Sequence, residues 1–386
     1  MKRVFSGLIF LCLIALLFFA FAPGLLESSM NKVERQDRPT PSAQAIALHK
    51  TLVVGDLHTD STLWHRDLLE RAERGHVDIP RLQEGNVALQ VFTSVTKSPA
   101  GLNYEENSAD SIDSITLLAI SQRWPSATWS SLTARALYQG ERLAELEQRA
   151  PEKFKLIRNK ADLAQVLAAR AAGESIVGGI LGTEGSHALD GNLEAIDDLF
   201  DAGFRTMGLQ HFFDNRLGGS LHGQSGAGLT DFGKAAVDRM VESQIIIDVA
   251  HSSPAVVSDV LARVKQPLIV SHTGFYGHCE GPRNISDELM KQIAAGGGLI
   301  GVGYWEAAVC ATDVDNIVAA MRYGIDLVGV NHVALGSDFD GSVITPLDTS
   351  ELVLLTDTML RRGFSEIEIR KVMGGNLARF MADNLP

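Results

Sequence analysis

Eight short apolar runs, separated by stretches of helical periodicity, constrain this chain more than any other feature. They are TLVVGD (51–56), VALQVFTSV (87–95), SIVGGILG (175–182), FRTMGLQ (204–210), IIIDVA (245–250), PLIVS (267–271), GLIGVGY (298–304) and HVALGS (332–337). Runs that are apolar almost throughout suit strands buried on both faces of a parallel sheet. Parallel strands need crossovers. LTDFGKAAVDRMVES (229–243), SPAVVSDVLARV (253–264) and SDELMKQIAAG (286–296) read as crossover helices, and Asp231 is placed to cap the first. The pattern predicts an α/β fold, a (β/α)8 TIM-type barrel. An open doubly wound sheet competes with it, but no GxGxxG follows the first run. Residues 101–173 exceed one crossover and read as a helical elaboration outside the barrel. RLGGSLHGQSGAGL (216–229) lacks the GK[ST] ending of a phosphate cradle and reads as a flexible loop.

Six of the eight runs end in histidine or carboxylate. His58 and Asp60 follow the first, Glu184 the third, His211 the fourth, His251 the fifth, His272 the sixth and Asp338 the eighth. A barrel brings the C-terminal ends of its strands to one mouth, where active sites lie. A single histidine at a strand end is ordinary packing; this many around one rim is a ligand set. The three cysteines, Cys12, Cys279 and Cys310, form no CxxC pair, so the donors are nitrogen and oxygen. Four histidines and three carboxylates exceed the needs of one ion. Two ions with a bridging carboxylate can activate a bridging hydroxide and polarise a carbonyl, which points to amide or ester hydrolysis. The net charge of −13 gives no basic footprint, which sets nucleic acid aside as a partner.

The N-terminus carries Lys2 and Arg3 ahead of an apolar run reaching Ala22. Residues 1–24 read as a signal peptide or an N-terminal membrane anchor, with the rest of the chain exported. Ala20-Phe21-Ala22 offers a cleavage site, but Pro23 follows it, which favours an uncleaved anchor. Residues 25–48 are polar with two prolines towards their end and read as a linker before a catalytic barrel at 49–386.

GDLHTD, GTEG, GLQH, DVAHSS, VSHTG, PRNISDE, GSDFDG and GGNLARF occur in order over residues 50–382. Together they resemble the renal or membrane dipeptidase family of metallopeptidases. The resemblance implies two zinc ions per chain, one held by His58 and Asp60, the other by His251 and His272, with Glu184 bridging. It implies that His211 contacts the substrate carbonyl, that Asp338 relays the proton, and that Arg283 with Asn284 holds the substrate's C-terminal carboxylate. It also implies dipeptide substrates, including some with a C-terminal D-residue, and a homodimer. Location at the periplasmic side of the inner membrane, or in the periplasm after cleavage, completes the expectation.

Two other readings compete. One keeps the barrel as a lactonase, phosphotriesterase or other amidohydrolase, against which Arg283 argues for a carboxylate-bearing substrate. The other is a non-catalytic anchored binding protein, against which stands the full set of ligands. Asp56 and Asp340 are candidates either to orient the histidine ligands or to cap loops. His222 and His278 read as surface residues of site loops, and His65, His76, His187 and His332 as structural or surface. Cys279 and Cys310 are expected to stay unpaired.

Overall fold

The computed structural model describes residues 19–35 and 40–386. Most of the proposed signal or anchor therefore lies outside the described residues. Among them, no helix is long and apolar enough to cross a membrane.

Eight parallel strands close into a barrel: β1 (Val54–Thr59), β2 (Val87–Val95), β3 (Val177–Glu184), β4 (Phe204–Gly208), β5 (Ile246–Asp248), β6 (Ile269–Thr273), β7 (Leu299–Val302) and β8 (Val333–Leu335). Neighbours pair in sequence order, β8 pairs with β1, and β2 with β3 completes the ring. The expected TIM-type barrel is the observed fold. A further short strand, Phe154–Leu156, pairs with the start of β3. Ile246, Ile269, Leu299 and Ala334, near the starts of their strands, share a core with Leu377, Phe380 and Met381 of helix Asn376–Asn384. That helix closes the end of the barrel away from the mouth. Each of the buried Ile, Leu, Phe and Met side chains contributes about 1.5–3 kcal/mol relative to exposure.

Three strands run past the C-terminal ends of their apolar runs, whereas β4, β5, β7 and β8 stop short of theirs. β1 extends to Thr59, β3 to Glu184 and β6 to Thr273. His58, Glu184 and His272 therefore project from strand backbone rather than from the loops beyond. Polar residues end an apolar run, but ladder hydrogen bonds continue through them because they depend on the backbone.

The segment read as a linker is largely built into the fold. Residues 19–30 are helical, and Lys32–Val33 pairs in parallel with Ile344–Thr345. Helix Ala43–His49 follows, capped by Ser42. Polarity and prolines signalled a break, yet the contacts that order this segment come from distant parts of the chain.

Two smaller readings change. Thr230, not Asp231, caps helix Asp231–Glu242, its hydroxyl accepting from Gly233 N. The glycine-rich loop is held: Asp214 accepts from the backbone of Ser220, Gln224 and Ser225. The elaboration at 101–173 contains helices Ser114–Ser121, Leu132–Arg149 and Lys160–Ala171.

Candidate metal centre

The alternation of β1 sets Asp56 and His58 on one side of the strand. Asp56 Oδ1 accepts from the backbone N–H of His58 at 2.9 Å, and both Asp56 oxygens accept from Ser337 N. Asp56 thus fixes the backbone of two rim segments and does not touch a histidine ring. Glu184 ends β3, and Gly185 follows at φ +84°. A Cβ at Gly185 would lie 3.0 Å from His211 Cβ, so glycine lets the two rim segments meet.

His58, Asp60, Glu184, His211, His251, His272 and Asp338 are all buried at the mouth. Glu184 Oε1 lies 3.5 Å from His58 Nε2, 3.2 Å from His251 Nε2 and 3.3 Å from His272 Nε2. Its Oε2 lies 3.3 Å from His211 Nε2. His58 Nε2 is also 3.5 Å from Asp60 Oδ1 and 3.9 Å from Asp338 Oδ1. Three groups of ligand atoms lie within reach of a cation: His58 with Asp60 and Glu184, Glu184 with His211 and His251, and His58 with His272 and Asp338. Glu184 is common to the first two, and His58 to the first and third.

The electrostatics of the cluster fit a cation. Burial opposes protonation of His58, but Asp60, Glu184 and Asp338 outweigh it and raise its pKa to about 10. Burial pushes Glu184 well above the usual carboxylate range, with Asp60 adding to it, and pushes Asp338 up to about 8. Burial lowers His211 to about 4 and takes His251 and His272 well below the ordinary value. Glu184 and Asp338 resist ionisation beside His211, His251 and His272, which resist protonation, while His58 alone holds a proton among the carboxylates; divalent cations relieve such an arrangement by taking the proton's place. Imidazole and carboxylate donors without thiolate suit a hydrolytic centre with positions open to water. The residues fit the ions that the resemblance implies.

Two ligand-orienting hydroxyls escaped the sequence reading. Thr93 Oγ1 donates to Asp60 Oδ1 at 2.6 Å and lies 3.2 Å from His58 Nε2. Ser271 Oγ lies 2.9 Å from His272 Nδ1 and 3.2 Å from His58 Nδ1, so it holds both rings with Nε2 towards the centre. The signal for Ser271 was its place directly before His272 in VSH; hydroxyls are common enough in strands that it carries weight only once the ligand is known.

Arg283 is buried and lines the same cavity, of about 460 Å³, as Asp60, Glu184, His211, His251, His272 and Asp338. Its guanidinium donates to the carbonyls of His272 at 2.8 Å and Ala250 at 3.3 Å. Among the described residues it pairs with no carboxylate. Asn284 departs from its expected role. Its side-chain amide donates to the carbonyls of Cys279, Ala307 and Ala308, so it holds the Arg283 loop and stays out of the cavity.

Other expectations change as well. His222 is fully buried, stacked on Phe212 at 4.7 Å, with Nδ1 2.8 Å from Tyr104 O. His278 is half-buried beside Tyr323. Cys279 and Cys310 form a disulfide, with Cα atoms 5.5 Å apart. The loops after β6 and β7 bring these cysteines together, which their spacing of 31 residues does not reveal. Asp340 accepts from Ser61 Oγ and from His76 N, and pairs with Arg66, so it ties the loop after β8 to the loop after β1. Asp338 and Asp340 both have left-handed backbones, φ +62° and +63°, a local strain that the surrounding bonds hold in place.

Comparison with known proteins agrees with this geometry. The family model for membrane dipeptidases, peptidase family M19, matches residues 42–384. The dipeptidase AtaJ of Aspergillus terreus is 26% identical over 336 residues, covering 80% of this chain and 76% of that protein. The probable dipeptidase PvdM from Pseudomonas aeruginosa superposes with a TM-score of 0.71 at 18% identity, covering 89% of this chain and 98% of that one. A metallopeptidase from Rhodobacter sphaeroides, solved with a phosphinate mimic of the dipeptide L-Ala-D-Ala, gives 0.69 at 22% identity, covering 87% and 100%. The chain belongs to the membrane dipeptidase family of metallopeptidases, peptidase family M19.

Proposed function

We propose that the protein is a two-zinc dipeptidase that hydrolyses dipeptides with a free C-terminal carboxylate. The observation that carries this reading is one cavity holding both Glu184, shared between two ligand groups, and the buried Arg283. Two ions held by His58, Asp60, Glu184, His251 and His272 would supply an acidic water and a Lewis acid for the carbonyl. The chain's own residues do the rest. Arg283 offers a planar fork of donors to the substrate carboxylate and so fixes which bond faces the centre. His211 is oriented by its Nδ1, 3.0 Å from Lys97 O, which leaves Nε2 on the cavity side to stabilise charge on the carbonyl oxygen. Asp338, at the cavity wall, takes the proton from the attacking water and returns it to the leaving amine.

A C-terminal D-residue lies within this reading, since a similar protein was solved with a mimic of L-Ala-D-Ala. Export with N-terminal anchoring at the periplasmic face belongs to it too. Its support is Lys2 and Arg3 ahead of the apolar run, together with the Cys279–Cys310 disulfide, a bond that persists in oxidising compartments.

The test is hydrolysis of free and C-terminally amidated dipeptides, with and without chelator and zinc add-back. Cleavage that needs metal and is lost on amidation is expected. Cleavage indifferent to amidation, or of a simple lactone in preference, contradicts the reading.

A further inference from the structure

The cavity has a wall that the barrel does not supply. Leu26 and Met30, from the helical residues 19–30, line it beside Leu63 and Trp64 of the loop after β1 and Ile115 and Leu118 of helix Ser114–Ser121. Both lie before residue 42, where the match to the family model begins.

The segment is fastened to the rim at several points. Glu27, between the two lining residues, is 1% exposed and accepts from Arg66 Nε and Arg74 Nε, each at 2.6 Å. Arg66 also pairs with Asp340. Asn31 Oδ1 accepts from Ser342 N at 2.8 Å, and Lys32–Val33 pairs with Ile344–Thr345. Phe19 lies under the Arg123 guanidinium, 5.6 Å from ring centre to Cζ. A buried double ion pair and a strand pairing hold one apolar face over the mouth. Yet Leu26 and Met30 remain 43% and 38% exposed.

The ring order gives this wall a direction. The wall is built on the loop after β1 and the chain after β2, whereas Arg283 follows β6. In an eight-strand ring paired in sequence order, β2 and β6 stand opposite each other. A dipeptide whose carboxylate rests on Arg283 and whose peptide bond meets the metal ligands points its amino-terminal residue at the apolar wall.

Resting on the dipeptidase reading, we infer that helical residues 19–30 are part of the substrate site. Leu26 and Met30 close an apolar chamber for the side chain of the substrate's amino-terminal residue. The chamber selects dipeptides that begin with a large aliphatic side chain.

The test compares kcat/KM for Leu-Gly, Gly-Leu and Gly-Gly in the full, metal-loaded chain. In Leu26→Ala/Met30→Ala the preference for Leu-Gly over Gly-Gly falls about tenfold, the scale of discrimination that a few methylenes give. The preference for Gly-Leu over Gly-Gly moves by less than about twofold on the same scale. Leu26→Met/Met30→Leu, which keeps the apolar volume, retains the wild-type preference. An unchanged Leu-Gly preference in the alanine variant, or an equal loss for Gly-Leu, overturns the inference. If wild-type protein cleaves no dipeptide, the dipeptidase reading fails by itself. Calorimetric binding then decides for the chamber: weaker Leu-Gly binding in the alanine variant upholds it, and equal or absent binding overturns it.

Discussion

Glu184 Oε1 lies 3.2 Å from His251 Nε2, across the barrel mouth from β3 to the loop after β5. The same oxygen faces His58 and His272, so one carboxylate meets three of the histidines at the mouth. Glu184→Gln keeps the shape and removes the charge. Loss of a group that merely orients a ligand costs about 10–100-fold. For a ligand shared by two ions, the role proposed for Glu184, activity falls by more than about 100-fold, and bound metal, read by elemental analysis, drops below the wild-type content.

Arg283→Lys tests carboxylate recognition. Lysine keeps the charge and loses the fork. Charged hydrogen bonds contribute about 1.5–3 kcal/mol, so kcat/KM on a free dipeptide falls about 10- to 100-fold. The difference between free and amidated substrate shrinks by a similar factor. A variant that loses equally on both forms assigns Arg283 to holding the carbonyls of Ala250 and His272 instead.

Arg66 joins Glu27 to Asp340 in a buried site. Arg66→Met leaves Asp340 buried without its guanidinium, and breaking such a pair costs about 3–5 kcal/mol. Urea denaturation of the variant reads this directly. A loss below about 1 kcal/mol, the worth of an exposed pair, contradicts the packing described for the loops after β1 and β8.

The disulfide closes the chain between Cys279 and Cys310, and Arg283 and Asn284 lie inside that closed loop. Loop-closure entropy for this spacing is about 3–4 kcal/mol. Cys279→Ser/Cys310→Ser lowers stability on that scale, and reductant lowers wild-type stability while leaving the variant unchanged.

Legibility tracked how local the signal was. The convergence of His58, Asp60, Glu184, His251 and His272 was readable because each follows an apolar run, and the fold gathers run ends at one mouth. The site residues the sequence misjudged were those whose partners are distant in the chain. Asn284 sits beside Arg283 yet turns to Cys279, Ala307 and Ala308. His222 looks like a loop histidine in LHGQ, and its burial depends on Tyr104 and Phe212. Residues 25–48 read as polar linker, and the order of their described part before residue 36 comes from Arg66, Arg74 and the strand at Ile344–Thr345. The disulfide depends on two separate barrel loops.

His49 gives a pH dependence away from the metal site. Its ring is buried, with Nδ1 2.8 Å from Thr356 Oγ1 and Nε2 3.0 Å from Gly85 O, and burial lowers its pKa. A histidine whose folded pKa lies below its unfolded one resists the proton that the unfolded chain accepts. Its neutral form costs nothing above about pH 6.5, and stability declines as pH falls below that value, by at most about 1.4 kcal/mol per unit. His49→Gln flattens this decline between pH 7.5 and 5.5 in urea titrations. An unchanged slope places the acid sensitivity elsewhere.

The most direct measurement of the central claim is a zinc titration of the chelator-stripped full chain, following bound metal and dipeptide hydrolysis together. Two equivalents are expected to bind per chain, with full activity only when both are present. Full activity with one equivalent, or with none, contradicts that claim.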